Sequence, residues 1–245
     1  MTQKIFKFLL VSLFLLTACE SGGSSSDLKN GLIKKTDDDG TRTEINYKEG
    51  KRHGLATTYY KNGNVSAEID YVEGEKQGEA KWFYQDKDRL LYQVTNFEQS
   101  KKEGFRKRLY RNGQVMAEIP YHNDTLGVGT KEYNKKGELI VEHEKVKIDI
   151  KADNQLKKKG EYILELRLPK GYTKVKWYHG DLTDGKYLNK KLVEIKNEKG
   201  AGMFRMNIPP NTGLTRDYNI VAHAQTALGN DIVFQQKTTV NVNNY

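Results

Sequence analysis

Residues 60–84 read YKNGNVSAEIDYVEGEKQGEAKWFY and contain both halves of a repeat that shapes the first part of this chain. The first half begins at Tyr60, carries an Asn-Gly pair at 62–63, and continues to Glu68 and Tyr71. The second half places two glycines before an aromatic run at 82–84. Asn and Gly tolerate the positive φ angles of tight turns, so an Asn-Gly pair beside alternating apolar residues predicts a β-hairpin.

The same spacing recurs between about residue 36 and residue 144. Full units start near Tyr47, Tyr71, Phe97 and Tyr121, and the unit at Tyr71 is followed by an irregular stretch at 85–96. Because strand residues alternate between faces, each unit presents its apolar residues on one side. One hairpin is too small for a core, but stacked hairpins can share one. The recurrent tyrosines are therefore expected to form a ladder within that core.

These residues resemble the MORN-repeat variant found in many exported bacterial proteins. The resemblance covers residues 36–147 and implies a strip of antiparallel β-hairpins. Some proteins with this repeat are grouped as antitoxins of toxin–antitoxin systems. The resemblance therefore adds an immunity or antitoxin-like role, with a cognate toxin as partner, to the functions that need to be considered.

From residue 148 onward the repeat stops, but strand-like runs separated by turn residues continue to residue 245. The expected strands lie at 161–168, 173–178, 192–196, 203–208, 218–224 and 232–242. Such a series predicts a β-sandwich. The segment resembles an immunoglobulin-like sandwich without its disulfide, with Trp177 at the strand-C tryptophan position, Tyr218 at a tyrosine corner and Ile220 at a cysteine position. The resemblance implies that Trp177 and Tyr218 are core residues.

The predicted fold class is thus all-β, with a MORN-like repeat of antiparallel hairpins at 36–147 followed by an immunoglobulin-like β-sandwich at 148–245. The N-terminus adds a separate motif. Lys4 and Lys7 precede a mainly apolar run at 8–16, which small residues connect to Cys19, the only cysteine. This order is typical of a secretory signal, and the apolar run is too short to span hydrocarbon about 30 Å thick.

The N-terminal motif resembles a bacterial lipoprotein signal with its lipobox. The resemblance implies removal of a signal peptide at 1–18, acylation of Cys19 with chains such as palmitate, and a lipid anchor with a flexible spacer at 19–35. An aspartate directly after the lipidated cysteine would resemble an inner-membrane retention signal. This chain has Glu20 at that position, which favours the outer membrane of a Gram-negative bacterium. The periplasmic and the external face both stay open. The alternative is an ordinary secretory signal with a chance cysteine.

Composition limits the partners. The signal removes two of the 41 Lys and Arg residues, so 39 remain against 32 Asp and Glu, a net charge of +7. A basic surface favours anionic partners such as lipid headgroups or acidic glycans. Nucleic acid is not an expected partner of an exported protein. The expected partners are therefore the membrane, through lipidated Cys19, and a protein or glycan whose identity the sequence does not give.

The residue pattern predicts no enzyme, no cofactor and no metal site. Acylation uses the only thiol, no serine stands in a nucleophile motif, and the five histidines lack the spacing of zinc ligands. The charged run Glu142-His143-Glu144 is expected to be solvated surface or repeat edge. The run Asp37-Asp38-Asp39-Gly40 lacks the Gly and Glu of a calcium loop, whose positions hold Arg42 and Lys48.

The expected function is non-catalytic binding or scaffolding at the bacterial cell envelope through the β-hairpin repeat surface. Residues outside the repeat pattern, Trp82, Arg106 and Arg108, are the predicted contact residues. Two alternatives remain: an immunity or antitoxin-like protein that neutralises a cognate toxin, and a surface glycan-binding accessory protein. The glycan alternative requires exposed aromatic rings on one face of the repeat.

Overall fold

The computed structural model describes residues 30–86 and 88–245, so the predicted signal and Cys19 lie outside the described residues. The described chain is all-β, as predicted. Its first part is one antiparallel sheet in which the long strands pair in chain order. The long strands are β1 (Gly31–Thr36), β2 (Arg42–Lys48), β4 (Gly54–Tyr59), β5 (Val65–Val72), β7 (Gly78–Phe83), β8 (Leu91–Glu98), β10 (Gly104–Leu109) and β11 (Val115–His122). The short strands are β3 (Lys51–Arg52), β6 (Glu75–Lys76), β9 (Lys101–Lys102), β12 (Thr125–Leu126) and β13 (Lys131–Glu132).

Two kinds of turn produce this meander. At the Asn-Gly turns, glycine takes a positive φ, 87° at Gly63, and donates its N–H to the carbonyl of Tyr60. At the other ends of the long strands, a two-residue turn folds each of β3, β6, β9 and β12 back on the preceding long strand. Both turn residues there have positive φ, 50° at Glu73 and 90° at Gly74, as a type I′ hairpin requires.

The irregular stretch predicted at 85–96 is wrong for its second half. Residues from 91 onward form the regular strand β8, which pairs along β7 from Phe83↔Leu91 to Gly78↔Phe97. Only the turn before it differs from the other units. Tyr60 N–H bonds to the carbonyl of Asn64, four residues on, whereas Tyr84 N–H bonds to that of Leu90, six residues on. The irregularity is thus a turn that is two residues longer.

The second part consists of two four-stranded antiparallel sheets. One has the order β14-β15-β19-β18 and the other β17-β16-β20-β21. The strands are β14 (Asp149–Gln155), β15 (Glu161–Arg167), β16 (Thr173–His179), β17 (Val193–Ile195), β18 (Asn197–Glu198), β19 (Ala201–Asn207), β20 (Thr212–Gln225) and β21 (Asp231–Asn244). A four-residue helix, α1 (Leu156–Lys159), connects β14 to β15, and a 3-10 turn (His143–Lys145) precedes β14.

All six predicted strands of this part are present, although β20 is longer than expected, and neither β14 nor the two-residue β18 was predicted. Strand β14 carries mostly polar, exposed residues, so it offers no apolar alternation to detect. The two sheets share one core, in which Leu166, Ile220 and Trp177 are fully buried. The Trp177 ring packs on Gly202, where an added Cβ would lie only 2.6 Å from the ring.

Tyr218 does not form the predicted tyrosine corner. Such a corner is defined by a hydroxyl bonded to nearby backbone, and within the described residues the Tyr218 hydroxyl has no such bond. Its ring instead packs edge-on against Phe204, with centroids 5.1 Å apart, at the margin of the core. The Tyr218 side chain therefore packs against the core, as expected, but it is only partly buried and only its ring takes part.

Candidate binding surface

One face of the repeat sheet carries a regular series of aromatic rings, and we call it the ladder face. On it, each aromatic residue stands directly across from a glycine of the neighbouring strand. The pairs are Gly31↔Tyr47, Gly54↔Tyr71, Gly78↔Phe97 and Gly104↔Tyr121. All four glycines have a positive φ, 105°, 76°, 72° and 72° in chain order, and a Cβ added to any of them would meet no atom within 4 Å. The glycines are therefore needed for a backbone conformation that other residues rarely adopt, and not for contact with the opposing ring.

A basic side chain covers the ring of the next unit along the ladder face. The Arg52 guanidinium lies 5.4 Å from the centre of the Tyr71 ring, the Lys76 ammonium 5.0 Å from Phe97, and the Lys102 ammonium 4.8 Å from Tyr121. These cations occupy the same position in successive short strands. Each contact is worth about 0.5–1 kcal/mol at an exposed site, and the stems of the side chains shield the rings from water.

The ladder rings are consequently core rather than ligand surface. Tyr71, Phe97 and Tyr121 are all buried, which agrees with the expectation that the tyrosines fill the repeat core. Ladder rings in this position cannot stack on sugar, because the cations lie between them and solvent. What the ladder face presents outward is a row of cations separated by two strand spacings, about 9.5 Å.

A second set of tyrosines forms hydrogen bonds between neighbouring units, at the strand ends that carry the Asn-Gly turns. The hydroxyl of Tyr60 donates to the carbonyl of Phe83 at 2.7 Å, and Tyr84 donates to the carbonyl of Leu109 at 2.9 Å. Tyr110 repeats the contact with the carbonyl of Tyr133 at 2.9 Å. Each bond joins one unit to the next, so these tyrosines also serve the repeat itself.

The sandwich covers the C-terminal end of the ladder face. There Ala117, Ile119 and Tyr121 of β11 form one apolar cluster with Val221 and Val233 from the outer face of the β16-β20-β21 sheet. Leu126 belongs to this cluster and stands where the earlier units have Arg52, Lys76 and Lys102. The change from cation to leucine therefore coincides with the place where the face is buried by apolar side chains.

A loop of the sandwich also completes the aromatic–glycine series. Gly127 follows the ladder glycines in the sequence, and its partner is Tyr187. Backbone hydrogen bonds hold this pair: Val128 N–H donates to the carbonyl of Lys186, and Leu188 N–H to that of Leu126. Residues 186–188, which we call the cap segment, thus form a single antiparallel β-bridge at the end of the repeat sheet. Nothing in the sequence near residue 187 had indicated this role.

The structure brings two of the three predicted contact residues, Arg106 and Arg108, to this junction. Arg108 donates to the carbonyl of Leu228 at 3.1 Å and to the side-chain oxygen of Asn230. Arg106 lies 3.7 Å from the carboxylate of Asp231 and over the Tyr121 ring. Both therefore contact the sandwich.

The third predicted residue, Trp82, stays apart from the junction. It is half-buried on the ladder face, between Ala67 and Gln93. Cys19, the predicted lipidation site, lies outside the described residues.

A buried polar network fills the other side of the junction. One carboxylate oxygen of Glu132 accepts hydrogen bonds from Thr226 and Asn230, and the other lies 3.4 Å from Nε2 of His143. Nδ1 of His143 is 2.8 Å from the Tyr172 hydroxyl. Burial by itself raises the pKa of Glu132, but the nearby His143 and the hydrogen bonds from Thr226 and Asn230 outweigh it and hold the pKa below its ordinary value.

The prediction that the run at 142–144 is solvated surface is wrong for His143. Its side chain is only 5% exposed, because the run forms a 3-10 turn instead of a strand. The turn points the imidazole into the junction. The neighbouring Glu142 and Glu144 remain exposed, as expected.

A cleft of about 480 Å³ opens beside this network, between the repeat and the sandwich. Its walls are mainly apolar and include Phe105, Pro120 and Val128 from the repeat and Ile232 to Gln235 from β21. Lys186, Glu144 and His143 add polar groups. Phe105 is 50% exposed, a large value for a phenylalanine. Sequence analysis missed this site because no local pattern joins residues 105, 186 and 232.

Among residues 30–86 and 88–245, no group of three or more metal-ligating side chains comes together. In the same residues, no helix has the length and hydrophobicity needed to cross a membrane. Comparisons with known proteins found no matching family model and no matching curated protein.

Proposed function

We propose that this chain is a lipid-anchored, non-catalytic binding or scaffolding protein of the bacterial outer membrane, and that it acts through the ladder face of its repeat. The observation that carries the proposal is that, among the described residues, the contacts of the sandwich with that face lie on β10, β11 and the chain just after them. In the earlier units the apolar cluster of Ile45, Ala56 and Tyr71 is formed by repeat residues alone. Arg52 and Lys76 lie over the Tyr71 and Phe97 rings there.

The chemistry of this face favours a protein over a sugar as the partner. Tyr71 and Phe97 are buried beneath basic side chains and cannot stack on a glycan, which leaves Tyr47 and Trp82 as half-buried rings of this face. Cations spaced along a flat sheet instead suit acidic side chains of a partner protein, because opposite charges steer the approach and fix the register. Lipid anchoring through Cys19 keeps the chain at the membrane, and acyl chains of this kind bind firmly when two or more are present.

The test is crosslinking in intact cells followed by purification of the lipidated chain. We expect one stoichiometric protein partner, which is lost in the double variant Arg52→Glu, Lys76→Glu. The matched control is Lys81→Glu, Lys107→Glu, which makes the same charge change on the opposite face. A Cys19→Ser variant should leave the membrane fraction.

Membrane retention of the Cys19→Ser variant would contradict the lipid anchor. Equal partner recovery from both double variants would contradict the role of the ladder face. A toxin as the partner, lethal to cells that lack this chain, would select the immunity alternative over a general scaffold.

A further inference from the structure

The cleft at the junction has a sheet edge as one of its walls. Strand β21 is the last strand of its sheet, and β20 is its only neighbour there. Main-chain groups of an antiparallel strand point alternately toward and away from the neighbouring strand. The Asp231 carbonyl points away from β20, since it accepts a hydrogen bond from Thr130. By alternation the N–H and C=O groups of Val233 and Gln235 also point outward.

Val233 and Gln235 both line the cleft. Gln235 is exposed, whereas Val233 is only 3% exposed, so the outward groups of Gln235 are the ones that a partner can reach. Within the described residues, no hydrogen bond from another element reaches the main chain of either residue. An edge with free donors and acceptors is a template for a further strand. The cap segment shows that this molecule already uses such pairing at the end of its repeat sheet.

The remaining walls fit the side chains of an extended peptide. Phe105 and Pro120 stand opposite each other on neighbouring strands and offer an apolar surface to one large side chain. Lys186 and Glu144 also line the cleft, and neither forms an ion pair within the described part of the chain. Charges of both signs are therefore available to residues that flank the apolar one.

We propose that the cleft binds an extended peptide segment of a partner protein, which pairs with the edge of β21 and inserts an apolar side chain against Phe105. An acidic residue of the peptide lies near Lys186 and a basic residue near Glu144. In this mode of recognition, main-chain hydrogen bonds give affinity and side-chain pockets give specificity. The site is separate from the ladder face, so the inference goes beyond the proposed function and does not depend on it.

The experiment screens a random peptide library, displayed on phage, against the mature chain with Cys19→Ser. Enriched peptides are then synthesised and their dissociation constants measured by fluorescence anisotropy. Two variants test the two halves of the site. Phe105→Ser removes the apolar wall, and Gln235→Pro removes one outward N–H at an edge position, where proline is tolerated.

Each variant has a matched control. Leu55→Ser makes a similar change at the equivalent position of an earlier unit, where Leu55 is 46% exposed and remote from the cleft. Gln235→Ala changes the side chain but keeps the N–H. We expect peptides with a large apolar residue, bound at least about tenfold more weakly by both test variants and equally well by both controls. If Gln235→Pro fails to fold, the difference in peptide affinity between Phe105→Ser and Leu55→Ser still tests the proposal.

Three results would overturn the inference. The first is the absence of any enriched peptide. The second is binding that Phe105→Ser and Leu55→Ser affect equally. The third is binding of the fluorescent fatty acid cis-parinaric acid, weakened by Phe105→Ser, with no peptide enriched, which would make the cleft a lipid site. Loss of ladder-face binding leaves all of these readouts unchanged.

Discussion

Glu132 shows how one residue connects the two parts of the molecule. It stands next to Ala117 on the ladder face, yet all of its side-chain partners come from outside the repeat sheet. Thr226 and Asn230 belong to the turn between β20 and β21, and His143 belongs to the chain that leads into the sandwich. A buried carboxylate is stable only if its desolvation is offset by such hydrogen bonds. The bonds here more than offset it, because the pKa of Glu132 is lowered.

This shift predicts a pH dependence of stability. A carboxyl whose pKa is lower in the folded state stabilises the fold above its unfolded pKa, here 4.5, and loses that contribution as the pH falls through the folded value. Glu132→Gln removes the titration and one strong acceptor. We expect the variant to be about 1–3 kcal/mol less stable at neutral pH, with the difference shrinking in acid.

Urea denaturation at pH values between about 3 and about 7 measures this difference. Other carboxyls with lowered pKa, such as Glu103 and Asp217, titrate equally in both proteins and cancel in the comparison. A stability difference that stays constant over the whole range would show that Glu132 acts only as a hydrogen-bond acceptor.

At the scale of elements, the hairpins of the repeat could be predicted and the junction could not. Each hairpin is specified by residues close together in sequence, such as the Asn-Gly turn at 62–63 and the alternating strand after it. The cap segment and His143 lie in stretches without periodicity, and their partners are about 60 and 10 residues away, as in Gly127↔Tyr187 and Glu132–His143. The one local signal was Leu126, which breaks the series of basic residues in the short strands.

The cap segment predicts a coupled pair of substitutions. A Cβ added at Gly127 would lie 2.8 Å from the Tyr187 ring, so Gly127→Ala forces the ring away and is expected to cost about 1–3 kcal/mol. In the background of Tyr187→Ala the clash disappears, and Gly127→Ala should then cost much less. The double-mutant cycle, measured by urea denaturation, should give a coupling of about 0.5–3 kcal/mol.

The control for this cycle combines Gly127→Ala with Tyr162→Ala, since Tyr162 packs in the sandwich core and does not contact Gly127. That pair should be additive within about 0.5 kcal/mol. Additivity of the Gly127 and Tyr187 pair would mean that the ring does not rest on the glycine in solution.

At the scale of the whole molecule, charge is divided unevenly. Residues 36–147 contain 20 basic and 20 acidic residues, whereas residues 148–245 contain 16 basic and 10 acidic residues, a net charge of +6. The expected attraction to anionic surfaces therefore belongs to the sandwich. The repeat contributes a patterned but neutral surface, in which the cations of the ladder face are balanced by acids elsewhere on the sheet. This division suits a repeat that selects a partner by geometry rather than by total charge.

The shared apolar cluster also predicts that repeat and sandwich unfold together. Leu126→Lys restores the basic residue of the earlier units, but places it in the buried junction, where an unpaired charge is expected to cost about 3 kcal/mol or more. The reverse change, Lys102→Leu, lies at the uncovered equivalent position and should cost only about 0.5–1 kcal/mol through its lost contact with Tyr121.

The chain has two tryptophans, Trp82 in the repeat and Trp177 in the sandwich. Fluorine-labelled tryptophan therefore reports both parts in one denaturation experiment. We expect coincident transitions in the parent chain and in Lys102→Leu, and separate ones in Leu126→Lys. Separate transitions in the parent chain would show that the junction does not couple the two parts.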